Sequence, residues 1–217
     1  MGLFNINGGF WRFMNRAMDV LVLNILWLAF SLPVFTVGAA TCAAFSVTLK
    51  MVDEEEGYVA RMFVKAFRAN FRQGTFMWLI TAPCVYAAFL IWQVVAKADG
   101  IGFIAILGAI FFTAIVIATN LYAYPLIARY DNTLKNMIKN SLGICVQYFG
   151  RTIFLVVLVA LEIAIIFWNR VTLAVGAFIG PEFIIYTISA IAKRIFQQLD
   201  KNTSPPDSMG TPGTINQ

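Results

Sequence analysis

Residues Thr75 to Val95 read TFMWLITAPCVYAAFLIWQVV, 21 residues without a charged side chain. A helix needs about 20 mostly apolar residues to cross the roughly 30 Å hydrocarbon core of a bilayer, so this stretch by itself predicts a membrane span. Ile101 to Pro125, Thr152 to Trp168 and Val171 to Ala192 meet the same requirement. Across the 217 residues, 60% are apolar and 12% are charged. A soluble domain carries roughly 45–50% and 25%. Folded in water, such a chain would lack the polar surface to cover itself, and the bilayer supplies the missing apolar surroundings. The fold class expected is therefore all-α, a polytopic bundle of about six membrane segments, with residues 1–199 as one domain and a polar, disordered tail over 200–217.

The N-terminal apolar region, Met18 to Val52, is too long for one span and short for two. Pro33 lies near its middle, where it removes a helical hydrogen bond and restricts the residue before it. The region reads as a tight hairpin of two short segments, Met18 to Leu32 and Phe35 to Val52. Charge supports this. With a hairpin there, 14 of the 16 Lys and Arg residues fall on one side of the membrane and only Lys97 and Arg170 on the other. That asymmetry is the positive-inside bias and predicts both termini in the cytoplasm of a cell-membrane protein. A re-entrant first hairpin gives the same charge map. Met1 to Met18 is aromatic and basic, and the apolar segment after it is not closed by a small-residue cleavage site, so the first apolar segment is expected to stay in the mature chain.

The basic segments are amphipathic. With Arg61 at zero on a helical wheel, Lys65, Arg68 and Arg72 fall within about 40° of it, and Val59, Phe63, Phe67 and Phe71 lie on the far side. Glu54, Glu55 and Glu56 precede this helix, where negative charge suits an N-terminus. Asn132 to Phe149 divides similarly, with Asn132, Lys135, Asn136, Lys139 and Asn140 on one arc. Trp11 to Arg16 forms a third lead-in, so each apolar hairpin follows a basic one. Asp19, three residues after Arg16, suggests an interfacial pair.

Ionisable groups inside spans are costly, which singles out Glu162 and Glu182. Gly180-Pro181 directly before Glu182 predicts a kink or break, and broken helices at mid-depth build binding sites in several transporters. Gly176 and Gly180 share the spacing of close helix packing. Asn24, Asn70 and Asn120 lie on or near apolar faces and need partners there. A possible polar or ligand site in the membrane thus comprises Glu162, Glu182, Asn24 and Asn120, with contact between the two glutamates open. The competing reading makes the glutamates protonated structural groups and the asparagines interhelical hydrogen-bonders.

Several functions are disfavoured. Histidine is absent, the three cysteines are scattered, and no paired spacing suggests a metal or a disulfide framework. No nucleophile elbow, metalloprotease motif or phosphate-cradling glycine loop occurs, so neither catalytic residues nor a cofactor are expected. The net charge of +5 sits beside the apolar stretches rather than in a free basic cluster, which points to the bilayer and away from nucleic acid.

Three elements carry a resemblance. They are Asn24-Ile25-Leu26-Trp27-Leu28 leading to Leu32-Pro33-Val34-Phe35-Thr36-Val37-Gly38-Ala39-Ala40-Thr41; Glu55-Glu56-Gly57-Tyr58 followed by Phe67-Arg68-Ala69-Asn70-Phe71; and Tyr124-Pro125-Leu126 with Ala128-Arg129-Tyr130. Together they resemble the YesL-type family of bacterial integral membrane proteins, which carry a domain of unknown function. The resemblance marks Pro33, Gly38, Asn70 and Pro125 as motif positions, beside the structural Gly180 and Pro181. It implies a place beside carbohydrate-uptake ABC transporters, with permease subunits as partners, and it supplies no catalytic residues. Three roles follow as expectations: an accessory or permease-like component of such an importer, a self-sufficient transporter using the intramembrane carboxylates, or an assembly protein without a substrate path.

Overall fold

A computed structural model describes residues 9–52, 57–97, 102–130 and 132–203. Among them every regular element is a helix: α1 (Gly9–Ser31), a 3-10 turn (Val34–Thr36), α2 (Val37–Val52), α3 (Val59–Lys97), α4 (Phe103–Arg129), α5 (Leu134–Gln147), α6 (Phe149–Ile166) and α7 (Arg170–Thr203). Five helices are long and apolar enough to cross a membrane, and the bent α7 makes a sixth if its two parts count as one span. The polytopic helical bundle expected from the sequence is the one observed.

The boundaries differ from the sequence reading in instructive ways. The lead-in at Trp11 to Arg16 is the first part of α1, and Arg16, the positive charge nearest Asp19, also donates to the carbonyl of Met51, 2.7 Å away. The basic segment before Thr75 is likewise continuous with its span, and α3 runs unbroken for 39 residues. At 1.5 Å per residue that is about 58 Å, nearly twice a hydrocarbon core. Its first part keeps Arg61, Lys65, Arg68 and Arg72 exposed and buries Phe63. Only α5 stands as a separate amphipathic helix. α7 continues to Thr203, past the point where the polar tail is expected to begin, while residues 204–217 and Glu54 to Glu56 lie outside the described residues.

The break after α1 follows from Pro33, whose backbone is extended. The Thr36 hydroxyl lies 2.6 Å from the Phe30 carbonyl and 2.7 Å from that of Pro33, and donates between them. It thereby satisfies a carbonyl that α1 leaves without a helical partner. α2 starts at Val37, not Phe35, because the 3-10 turn occupies the residues between.

Glycine then decides where this hairpin can sit. A Cβ on Gly38 would lie 2.2 Å from the Gly74 carbonyl oxygen, and one on Gly74 would lie 2.7 Å from the Ala39 Cα. The backbones of α2 and α3 touch, as small residues permit between membrane helices. The ring of Phe30 packs on Phe67 and Phe63 at 4.8 and 5.4 Å between centroids. The hairpin turn therefore lies beside the basic half of α3. From Gly74 to Lys97 is about 34 Å along the helix, so the first hairpin stops short of the far end that α3 and α4 reach.

Those two helices form the longer hairpin. Trp92 donates to the Thr113 hydroxyl at 2.9 Å, Thr81 and Tyr124 share a hydrogen bond at 3.0 Å, and Gln73 donates to the Asn132 carbonyl at 3.2 Å. α6 and α7 form the third hairpin, tied by Arg151 to Gln198 at 2.7 Å. α2 is the centre: 67% of its segment is buried, against 11% for α1, α3 and α6.

Candidate functional site

Pro181 sets the local geometry of α7. The helix bends by 64° between Arg170–Gly176 and Phe178–Asp200. A proline ring clashes with the carbonyl four residues before it and offers no N–H to that carbonyl, so the kink that Gly180-Pro181 predicts matches a bend on its N-terminal side. Gly176 and Gly180 pack against Ile166 of α6, where a Cβ would approach its side chain to 2.6 and 2.7 Å. Their spacing marks close helix packing.

Two polar residues converge on the bent helix. Asn24 is completely buried in α1 and donates through Nδ2 to the Phe178 carbonyl, just past the bend. Glu182 is completely buried one turn further on, and neither carboxylate oxygen has a partner. The Asn24 Oδ1 is also without one. Helical side chains lean toward the N-terminus, so the Glu182 carboxyl leans toward the turn that Asn24 engages.

Glu162 is elsewhere. Its Oε1 accepts the Thr187 hydroxyl at 2.6 Å, and its Oε2 is buried without a partner. Thr187 follows Glu182 by five residues, about 140° around the helix at 100° per residue, so the glutamates attach to different faces of α7. Asn120 is also apart. Its amide donates to the Val116 carbonyl of its own helix at 2.8 Å and borders a groove of about 300 Å³ with Val85, Ala88, Thr113 and Ile188. Of the four residues expected to form one polar site, Asn24 and Glu182 thus meet α7 one turn apart, and Glu162 and Asn120 stand at separate positions.

The motif residues have structural work. Asn70 reaches Ser46 of α2 at 3.5 Å, and Ser46 donates to the Cys42 and Ala128 carbonyls at 3.0 and 3.2 Å, joining α2, α3 and α4. Pro125 is buried near the end of α4. Among the described residues no group of His, Cys, Asp or Glu could hold a metal ion.

A second feature was not apparent in the sequence. At the basic end of the bundle, α4, α5 and α7 enclose a cleft of about 620 Å³. Leu126, Met137, Ile144 and Leu199 give it apolar walls, and Asn132, Lys139, Asn140, Gln147 and Asp200 give it a polar border. Asp200 holds the wall together. Its carboxylate accepts from Arg129 and from the Tyr130 hydroxyl, each at 2.8 Å. Arg129 also lies 5.6 Å from the centres of the Tyr130 and Phe196 rings. Burial, and then the hydrogen bond to Asp200, push the Tyr130 hydroxyl up to about 12. The polar arc of α5 was the available signal, but Asp200 reads as tail in the sequence and hides the second wall.

Residues 20–91 match the model of a protein family of unknown function, DUF624. The match takes in the Asn24, Pro33, Gly38 and Asn70 elements and leaves out Tyr124-Pro125-Leu126. No curated protein and no solved structure matches the chain.

Proposed function

We propose that this chain is an accessory or permease-like component of a carbohydrate importer of the ABC type, set in the cell membrane with both termini in the cytoplasm and without catalytic chemistry of its own. The resemblance to the YesL-type family motivates the importer. The observation that carries the reading is the 620 Å³ cleft at the basic end, whose apolar walls and polar border suit a segment of an importer subunit. The basic end is the cytoplasmic one by the charge bias, so the cleft faces the side from which such a subunit would dock. A photo-crosslinking residue at Asn140, exposed on the cleft border, is expected to capture a permease or ATPase subunit in membranes of the native host. Recovery of no importer subunit would overturn this reading.

A second reading, a self-sufficient transporter, is favoured by the buried Glu182, since an ionisable group is kept at such a position at a cost. Reconstituted uptake that survives both Glu162→Gln and Glu182→Gln would remove it.

A further inference from the structure

The Glu182 carboxyl poses a problem of charge that the chain does not solve by itself. It is fully buried, both oxygens are unpartnered, and no described Lys or Arg lies within 4 Å of it. An isolated carboxylate in such surroundings is far too costly to persist, so a positive charge must come from outside the chain.

The neighbours are oxygen acceptors. Asn24 engages the turn before Glu182 through its amide nitrogen, committed to the Phe178 carbonyl, and its Oδ1 is buried without a partner. Pro181 leaves the carbonyl of residue 177 without its helical donor. Two carboxylate oxygens, an amide oxygen and a freed backbone carbonyl form a set of hard ligands at a helix break, the chemistry by which broken membrane helices hold protons and sodium ions.

The other ionisable side chains described on α7 and on the helices packed against it have separate partners or stand in the open. Arg16 donates to Met51, Arg129 to Asp200, Arg151 to Gln198 and Lys193 to Val52. Glu162 accepts from Thr187, Tyr122 pairs with Thr152 and Tyr124 with Thr81. Asp19, Lys50, Arg170 and Arg194 are exposed. Cys42 is a buried thiol on α2, and Tyr186 stands half-buried one turn beyond Glu182.

We propose that Glu182 and Asn24 form an exchangeable site for one small monovalent cation, a proton or a sodium-sized ion, inside the bundle. The site is separate from the cleft and does not depend on the importer reading.

Dicyclohexylcarbodiimide, which adds to protonated carboxyls in apolar surroundings, tests this on the unaltered full chain in membrane vesicles, with the adduct located by peptide mass spectrometry. The expected adduct is on Glu182. A proton site predicts a labelling rate that falls about tenfold per pH unit above its midpoint. A sodium-type site predicts slowing by NaCl or LiCl, but not by choline chloride, at fixed pH. Asn24→Leu should shift that pH midpoint or weaken the salt protection while the adduct still forms, which a merely structural asparagine would not do. A rate indifferent to pH and to every salt, or no adduct under any condition, overturns the proposal and leaves Glu182 a fixed structural group.

Discussion

The first hairpin and the α3–α4 hairpin are both apolar, yet they occupy opposite places in the molecule. α2 is 67% buried, whereas the α3 segment is 11% buried and α4 28%. Mean hydropathy runs the wrong way for a soluble protein: 1.5 for the segment containing α2, against 1.9 and 2.3 for α3 and α4. Lipid tails are as apolar as leucine, so hydrophobicity does not draw a helix to the centre of a membrane bundle; close packing does. α2 offers Gly38, Ala39, Ala40, Cys42, Ala43 and Ala44 in sequence, all buried, and larger neighbours close around it. α4 turns Phe103, Ile104, Leu107, Ile110 and Phe111 outward.

Depth separates the two hairpins most sharply, and the largest predicted effect tests it. With the three native cysteines replaced by serine, Lys97→Cys is expected to react with a membrane-impermeant maleimide from the face opposite Tyr58→Cys. Leu32→Cys, at the first turn, should stay unreactive from the Lys97 face, an all-or-none difference. Labelling of Leu32→Cys from that face would show that the first hairpin crosses fully.

Packing gives the next effect. Gly38→Leu forces a side chain against backbone that cannot turn aside, and should cost more than the roughly 1–3 kcal/mol usual for overpacking. Ile110→Leu, on the open face of α4, should leave thermal unfolding in detergent unchanged within about 0.5 kcal/mol. Equal tolerance at both positions would mean that the contact of α2 with Gly74 is not required.

This contrast also explains what could be read in the sequence. The spans of α3, α4 and α6 follow from length and apolarity, and the break at Pro33 from proline geometry. The centrality of α2 was encoded in its small residues, but only the partner Gly74, distant in sequence, gives Gly38 its meaning. Glu182 could be singled out because a charge in a span is rare. Its place one turn from the carbonyl that Asn24 engages, and its separation from Glu162, depend on how α7 bends and rotates against α1 and α6, which no spacing within one helix specifies. Asp200 was missed because polar composition ends an apolar pattern before it ends a helix.

Smaller effects should come from the hydrogen bonds by which a helix of each hairpin is joined to another helix. Thr48 and Ser189 share a fully buried bond at 2.8 Å between α2 and α7. Thr81 and Tyr124 share the buried one between α3 and α4. Such bonds average about 0.6 kcal/mol in membrane bundles because the unfolded helices also find partners in the bilayer. Thr48→Val and Thr81→Val are each expected to destabilise by about that amount. A loss several times larger for Thr48 alone would mean that the central helix depends on polar specificity as well as on shape.

The smallest effect lies at the basic end, where the Tyr130–Asp200–Arg129 network joins α4 to α7 outside the spans. The Tyr130 hydroxyl is held up to about 12 by burial and by its bond to Asp200, above the roughly 10 of an unfolded chain. The folded state therefore favours the protonated phenol. Its contribution to stability is fully present below pH 10 and is lost as pH rises from there through about 12. Tyr130→Phe should remove that contribution, with its hydrogen bond to Asp200, and flatten the unfolding profile over the same window. Because the network is partly exposed, salt should weaken the Arg129–Asp200 pair more than the tyrosine bond. An alkaline profile identical in Tyr130→Phe and the unaltered chain would show that the wall of the cleft is held by the rings of Phe196 and Tyr130 and not by the carboxylate between them.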